Sequence, residues 1–197
     1  MSAKSKNTKE GKQLAVSIAV LEVVEKEGLL GVTHSKVARK SKVSRAWLYE
    51  YIGKEKSALI EFAAEVFAGH FARAKLTDFP KSREELERHL KEGIDFLFDS
   101  VELSPVIIKL YFRFRGTDNP IGQVIQKYES QWLKAASKTA INVLGMPAEH
   151  TDLLAELVLT LRLGFAHRFA TSAQPEKTRA RAKMTLDFIY SLLANAV

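Results

Sequence analysis

The chain has 197 residues, contains no cysteine, and carries 30 basic against 23 acidic side chains, a formal net charge of +7. The lack of cysteine excludes disulfides, thiolate zinc sites and cysteine nucleophiles, and no apolar run approaches the roughly 20 residues of a membrane-spanning helix. The first residues, MSAKSKNTKEGKQ, are basic but lack an apolar core, so we expect a short flexible arm, no secretory signal and a cytoplasmic protein.

The sequence predicts an all-α fold of about nine helices. Proline falls almost entirely at element boundaries, and no alternating strand pattern or hairpin turn is present. The first helix is predicted over residues 12–27 and is ended by Gly28 and Gly31. Two short helices follow within residues 32–52, and a fourth runs from residue 54 to about 73.

The predicted helices continue to the end of the chain. Asp78-Phe79-Pro80 breaks the fourth helix, and a capping box at residues 82–85 opens the fifth. Ser104-Pro105 starts the sixth helix, and residues 116–120 form a loop. A long seventh helix reaches about residue 144, and the last two helices cover about 148–170 and 175–194.

The most informative stretch is residues 32–52, where the same helix start occurs twice. Thr33 and Ser44 each place a hydroxyl at an N-cap, where it accepts from an unpaired N–H of the first helical turn. Each cap follows a valine and precedes an apolar residue four positions later, which is a hydrophobic staple. The turn at residues 41–43 is short enough to force a sharp crossing. This layout is typical of a DNA-binding helix-turn-helix.

The basic charge is concentrated in the same part of the chain. Residues 1–56 contain twelve Lys/Arg and six Asp/Glu, so they hold +6 of the total charge, while residues 57–197 are nearly neutral. A basic segment attracts polyanions, and counterion release makes its binding to DNA strong and salt-dependent. A lysine-rich solvated segment with an incidental helical hairpin is the alternative.

Residues 14–59 resemble the TetR family of bacterial transcriptional regulators. The family typically shows Ala-x-x-Ala-Gly-Val-Ser, a Leu-Tyr pair, a further aromatic residue and a lysine-rich start of the fourth helix. Here residues 38–44 read Ala-Arg-Lys-Ser-Lys-Val-Ser, followed by Leu48-Tyr49, Tyr51 and Lys54-Glu-Lys-Ser-Ala-Leu. Beyond residue 59, only the number and order of the helices match.

The sequence departs from the family pattern at several positions. Lys42 stands where glycine is usual, so the turn must become left-handed at some cost or bend differently. Trp47 replaces a small hydroxyl residue, and Ile52 replaces an aromatic one. The lysine-rich segment from Lys54 is one residue longer than is common.

The resemblance implies a homodimeric transcriptional regulator. Residues 1–56 would be a helix-turn-helix DNA-binding domain, and residues 57–197 a helical ligand-binding and dimerisation domain. We expect a repressor that is released from a palindromic operator by a small-molecule effector, with no cofactor and no membrane partner. A transcriptional activator of the same fold and a non-sequence-specific architectural DNA-binding protein are the alternatives.

Residues at the start of a recognition helix reach base edges. Arg45 suits a bidentate contact with guanine or, equally, a phosphate contact. Ala46 suits a thymine methyl group or simply allows close approach, and Trp47 suits a sugar, a thymine methyl group or a cover for the core. Ser44 faces the groove or the solvent. The resemblance implies that the hydroxyls of Tyr49 and Tyr51 contact phosphates, although two exposed tyrosines near lysines also fit an amphipathic surface. The remaining candidates for phosphate contacts are Thr33, Ser35, Lys42, Lys54 and Lys56.

Two further sets of residues are predicted in the larger domain. The resemblance places an effector pocket among aromatic and polar side chains there, although these also fit a packed aromatic core: Phe96, Tyr111, Phe112, Arg115, Trp132, Arg162 and His167. It also implies a dimer interface on the last two helices, where an intramolecular core is the alternative: Leu154, Leu157, Leu161, Met184, Phe188 and Leu192.

Catalysis is not expected. The sequence contains no G-x-S-x-G, no phosphate-binding glycine loop and no H-E-x-x-H. The five histidines show no metal-ligand spacing. We therefore predict no catalytic residue, no metal and no enzyme activity.

Overall fold

The computed structural model describes residues 8–72 and 80–195, and within them every regular element is helical. A single turn of 3-10 helix, Leu29–Gly31, separates the first two α-helices. The α-helices are α1 (Lys9–Glu27), α2 (His34–Ser41), α3 (Arg45–Tyr51), α4 (Lys56–Ala72), α5 (Arg83–Leu103), α6 (Val106–Phe114), α7 (Pro120–Leu144), α8 (Ala148–Thr171) and α9 (Pro175–Asn195).

The all-α prediction is confirmed, and two helix starts differ from expectation. Helix α1 begins three residues early, because the Thr8 side chain caps it by accepting from the Gly11 amide at 3.0 Å. Helix α4 begins two residues late, since Gly53 has a φ of 128° and starts a short loop. The predicted arm at residues 1–7 and most of the predicted break at residues 78–80 lie outside the described residues.

The described residues divide into two units. The first comprises those up to Gly69 together with Lys109–Gln126, and the second comprises those of His70–Ile108 and from Lys127 onward. The predicted functional boundary after residue 56 would fall at the first residue of α4. No described helix is both long and apolar enough to cross a membrane.

The first unit is organised around one stripe of α1. Val16, Val20 and Val24 recur every four residues and are fully buried. Helix α1 packs on α2, and α2 packs on α3, whose Leu48 is also fully buried. Helix α3 is therefore attached to the core by its inner face.

The second unit is built on α5, which packs against both α8 and α9. Its buried stripe includes Ile94, Leu97, Phe98 and Val101. The Phe98 ring lies 4.7 Å from the ring of Phe169 on α8. Regular i, i+3 and i+4 spacing thus accounts for the inner face of α5.

Lys42 ends α2 with φ 59° and ψ 29°, which is the left-handed conformation. It is the only non-glycine residue with positive φ among the residues described. The sequence predicted this possibility from the missing glycine, and the cost arises because Cβ approaches the following carbonyl oxygen.

Lys42→Gly should therefore stabilise the protein by about 1 kcal/mol, since glycine adopts this conformation without the Cβ clash. Urea unfolding would measure the change. Arg39→Gly, in the interior of α2, is the matched control and should destabilise by about 1 kcal/mol. A loss of stability in Lys42→Gly would contradict a strained turn.

Candidate nucleic-acid interface

The turn between α2 and α3 is closed by local side-chain hydrogen bonds. The Ser41 hydroxyl donates to the Val37 carbonyl oxygen at 2.7 Å and accepts from the Val43 amide at 3.4 Å. The Thr33 hydroxyl accepts from the Lys36 amide, which confirms the predicted cap of α2. These side-chain hydrogen bonds take the place of the helical backbone hydrogen bonds of α2, which ends at its C-cap, Lys42.

Helix α3 is capped as predicted and is anchored at both ends. The Ser44 hydroxyl accepts from the Trp47 amide at 3.2 Å. At the other end, the Gly53 amide donates to the Leu48 carbonyl oxygen at 3.1 Å. Nε2 of His34 donates to the Gly53 carbonyl oxygen at 2.9 Å, which links the start of α2 to the end of α3.

Helix α3 carries five of the eleven predicted contact residues. Arg45 and Ala46 are exposed in the first turn, and Tyr49 and Tyr51 are exposed in the second. Arg45 Nη2 donates to the Tyr49 hydroxyl at 2.8 Å. Because a guanidinium has further N–H donors, this bond orients Arg45 and leaves others for an acceptor outside the protein.

Trp47 is half-buried and stacks on Tyr51, with ring centroids 4.9 Å apart. Lys9 of α1 lies 5.3 Å from the centroid of the same tyrosine ring. The negative charge of Glu50 and its hydrogen bond raise the pKa of the Tyr51 hydroxyl. The single hydroxyl proton of Tyr51 is thus directed toward Glu50. A phosphate contact through this hydroxyl would have to redirect the proton.

The remaining predicted cationic and hydroxyl residues differ in their surroundings. Lys42, Lys54 and Ser35 are exposed. Lys56 donates from Nζ to the Leu30 carbonyl oxygen at 2.6 Å, so it also holds the 3-10 turn in place. A phosphate contact by Lys56 would have to use its other protons.

Acidic groups on α1 are matched by lysines of the same unit. The pairs are Lys36 with Glu27, Lys40 with Glu22, and Lys109 with Glu25. These carboxylates are thereby partly neutralised. The basic residues at the α2–α3 turn and on α3 then dominate the charge near α3.

Three residues of this surface were not predicted as site residues. His34 lies with its ring 4.8 Å from that of Tyr49. Lys9 approaches Tyr51, and Leu30 supplies the carbonyl oxygen bound by Lys56. Each contact joins residues far apart in the chain, so no local pattern could have indicated it.

The predicted effector residues are distributed over both units. Tyr111, Phe112 and Arg115 lie in the first, and Phe96, Trp132, Arg162 and His167 lie in the second. Tyr111 and Arg162 are buried, Phe96 and Trp132 are half-buried, and Phe112, Arg115 and His167 are exposed.

Arg162 is the most unusual of these residues. Its side chain is 8% exposed, Nη2 donates to the Gly93 carbonyl oxygen at 3.3 Å, and the guanidinium carbon lies 5.6 Å from the Trp132 ring. Burial lowers the pKa of Arg162 to about 10. The guanidinium thus remains charged at neutral pH in a poorly solvated place.

The last two helices carry a row of exposed apolar side chains. Met184 and Phe188 are 70% and 63% exposed on α9, and Leu157 and Leu192 are also exposed. Leu161 is half-buried. Most side chains of the predicted interface are therefore exposed in the single chain and do not pack into its described core.

Leu154 has a different environment from the other predicted interface residues. It packs against a cluster formed by Leu86, Ala140 and Leu144. Its neighbour Leu153 is 66% exposed. The exposed face of α8 is therefore carried by Leu153, with Leu154 turned toward the core.

Comparison with solved structures relates this arrangement to known proteins. The fatty acid degradation regulator FadR from Bacillus halodurans superposes with a TM-score of 0.61 at 12% identity, covering 93% of this chain and 98% of the other. The regulator SCO7222, a TetR from Streptomyces coelicolor, gives 0.54 at 14%, covering 96% of each. This is the TetR fold.

A provisionally assigned fatty acid metabolism regulator from Clostridium perfringens has the same fold. Its TM-score is 0.65 at 17% identity, covering 87% of this chain and 96% of the other. No family model matches the sequence, and no curated protein matches it. The TetR resemblance is confirmed as a likeness of fold.

Ser44→Ala should destabilise the protein by about 1 kcal/mol, because the Trp47 amide at the start of α3 loses its acceptor. Denaturant unfolding would measure the loss. Ser130→Ala is the control, since Ser130 is exposed within α7. Equal stability of both variants would show that the cap contributes little to α3.

Proposed function

We propose that the chain is a homodimeric, sequence-specific DNA-binding regulator of transcription. The observation that carries the proposal is the exposed first turn of α3, which presents Arg45 and Ala46 beside a basic turn. A capped recognition helix whose inner face is buried at Leu48 is the geometry with which such heads enter the major groove. The TetR fold supports the same function.

In this proposal the first turn of α3 reads bases. Arg45, held by Tyr49, donates to guanine, and Ala46 contacts a thymine methyl group or lets the backbone approach. The stacked Trp47 and Tyr51 form a rigid wall beside them that contacts sugar or thymine. Stacking limits the side-chain entropy that binding would otherwise cost.

Phosphate contacts surround this reading helix. The exposed side chains that would make them are Thr33, Ser35, Lys42, Ser44, Tyr49, Tyr51 and Lys54, with Lys56 as a further donor. Hydroxyl and ammonium donors suit phosphate oxygens, and such contacts position the protein without reading sequence. Their positive charges also supply the salt-dependent part of the affinity.

The exposed apolar row on α8 and α9 supports a homodimer. Leu153, Leu157, Met184, Phe188 and Leu192 recur at helical spacing on two helices that pack against each other. Large exposed apolar patches are rare on monomers. A two-fold symmetric dimer would place two heads on a palindrome with half-sites roughly 34–36 Å apart, or a multiple of that distance.

We further propose that the chain is a repressor released by a small-molecule effector. The preference for repression comes from the family resemblance. The effector would bind residues after 56 and favour a dimer whose heads no longer match successive major grooves. Differential affinity for the two conformations is sufficient for this effect.

The proposal is tested by selecting bound sequences from a random double-stranded DNA library at about 150 mM salt. Recovery of a palindromic site supports a sequence-specific dimer and supplies the operator. Binding without an enriched sequence favours an architectural protein. Failure to bind DNA overturns the proposed function.

Arg45→Ala and Lys54→Ala should weaken binding to that operator in different ways. Loss of a bidentate base contact should reduce discrimination at one base pair by roughly 1–3 kcal/mol. Loss of a phosphate contact should weaken binding to all sequences and reduce the salt slope by roughly 0.9. Fluorescence anisotropy at several salt concentrations measures both.

Arg168→Ala is the control for these variants, because Arg168 is exposed on α8, outside the first unit. It should leave affinity, discrimination and salt slope unchanged. If Arg45→Ala weakened all sequences equally, Arg45 would be a phosphate contact instead of a base contact.

Phe188→Glu should convert the dimer to monomers, because it places a charge in the middle of the proposed apolar interface. Light scattering coupled to size exclusion would show the change in mass. Leu30→Glu is the matched control, since Leu30 is 89% exposed and lies in the other unit. A Phe188→Glu variant that keeps the wild-type mass would place the interface elsewhere.

A further inference from the structure

Two arginines described in the second unit, Arg162 and Arg179, lie on aromatic rings and differ in their carboxylate partners. Arg179 lies 5.6 Å from the rings of both Phe98 and Phe169 and donates to Asp99 at 2.7 Å. Arg162 lies on Trp132 at the same distance, but within the described part of the chain no carboxylate is within ion-pair distance of it. The charge of Arg179 is thus compensated by carboxylates, whereas no described carboxylate compensates that of Arg162.

The surroundings leave Arg162 electrostatically uncompensated. A guanidinium has five N–H donors, and Arg162 makes one long hydrogen bond from Nη2 to the Gly93 carbonyl oxygen, at 3.3 Å. A buried cation with no carboxylate beside it is costly. The protein therefore keeps, at 8% exposure, a cation that its described residues do not neutralise.

Gly93 makes space for this cation in the middle of α5. A Cβ atom at this position would lie 3.1 Å from Nη1 of Arg162. Glycine in a helix interior destabilises by roughly 1 kcal/mol relative to alanine. The sequence thus contains a helix-weakening residue at the place where it gives room to the guanidinium.

We propose that Arg162 binds the carboxylate of a small molecule whose remaining part is apolar. The planar guanidinium matches a carboxylate through two parallel hydrogen bonds. The indole of Trp132 suits the apolar part, and the helices that carry Gly93 and Arg162, α5 and α8, bury mostly apolar side chains such as Ile94 and Leu163. This inference rests on the proposed function only in naming that molecule the effector.

The low exposure of Arg162 favours a small ligand over a macromolecule. Nucleic acid and acidic peptides need charge at the surface, where a partner of large size can reach it. Exposed arginines such as Arg168 offer that, whereas Arg162 does not. A ligand that enters between helices and buries most of its own surface can reach it.

Trp132 gives a direct readout of binding. The chain has two tryptophans, Trp47 and Trp132, so Trp47→Phe leaves only the indole next to Arg162. The probes are octanoate and phenylacetate, each compared with its uncharged amide of the same shape. We expect both carboxylates to change Trp132 emission and raise Tm, and to bind about ten-fold or more tightly than the amides.

Arg162→Met in the same background separates binding from packing. Methionine keeps an apolar side chain of similar length without charge, so the preference for carboxylates over amides should disappear. The Tm without ligand should stay the same or rise, because an uncompensated buried cation is removed. Arg168→Met is the control and should keep the preference.

Arg162→Lys covers the case in which the methionine variant does not fold. It keeps the charge and loses the planar fork, so carboxylate binding should weaken by about ten-fold. Equal affinities of the wild type for carboxylates and amides, or no binding of either, would overturn the proposal. A large fall in Tm in Arg162→Met together with unchanged ligand preference would make Arg162 a structural link between α5 and α8.

DNA binding without ligand is measured separately on the wild-type protein, because Trp47→Phe changes a proposed DNA contact. If the selected operator is bound and both carboxylates fail to bind, only the Arg162 inference fails. If the carboxylates bind through Arg162 and no DNA is bound, the ligand site remains and the proposed function fails. Carboxylate binding that leaves operator affinity unchanged would refute the effector role alone.

Discussion

The candidate site depends on how a seven-residue helix is held in place. Isolated helices of this length are not stable in water, because nucleation costs more than so few hydrogen bonds return. Leu48 attaches α3 to the core, Ser44 caps its start, and His34 fixes the carbonyl oxygen of Gly53 beyond its end. These three contacts fix the position of α3 and therefore of its exposed side chains. The exposed side chains are not needed to stabilise the helix, so they are available for binding.

Much of this arrangement could be predicted because it depends on signals between residues close in sequence. N-cap hydroxyls, stapling valines and prolines at helix boundaries define elements within a few residues, and the left-handed Lys42 could be anticipated from the position where a glycine is usual. The early start of α1 shows the limit of this approach. Thr8 is a suitable N-cap residue. The polar residues around it show no apolar periodicity that would distinguish a helix start from a flexible arm.

Contacts between distant residues could not be predicted. Lys56 bonds to Leu30, and Arg162 to Gly93, across long stretches of sequence with no local signal. The phase of α8 was also ambiguous, because Leu153 and Leu154 are adjacent and equally apolar. Only packing shows that Leu154 joins the cluster of Leu86, Ala140 and Leu144 while Leu153 remains exposed.

The exposed apolar row on α8 and α9 has a consequence for how such a protein would respond to its own abundance. If two copies must pair through Met184 and Phe188 before the palindrome is bound, the dimer concentration at low expression grows with the square of the total protein concentration. A modest change in synthesis or degradation would then shift operator occupancy more than proportionally. The affinity with which α8 and α9 dimerise would then set a threshold concentration for control of gene expression.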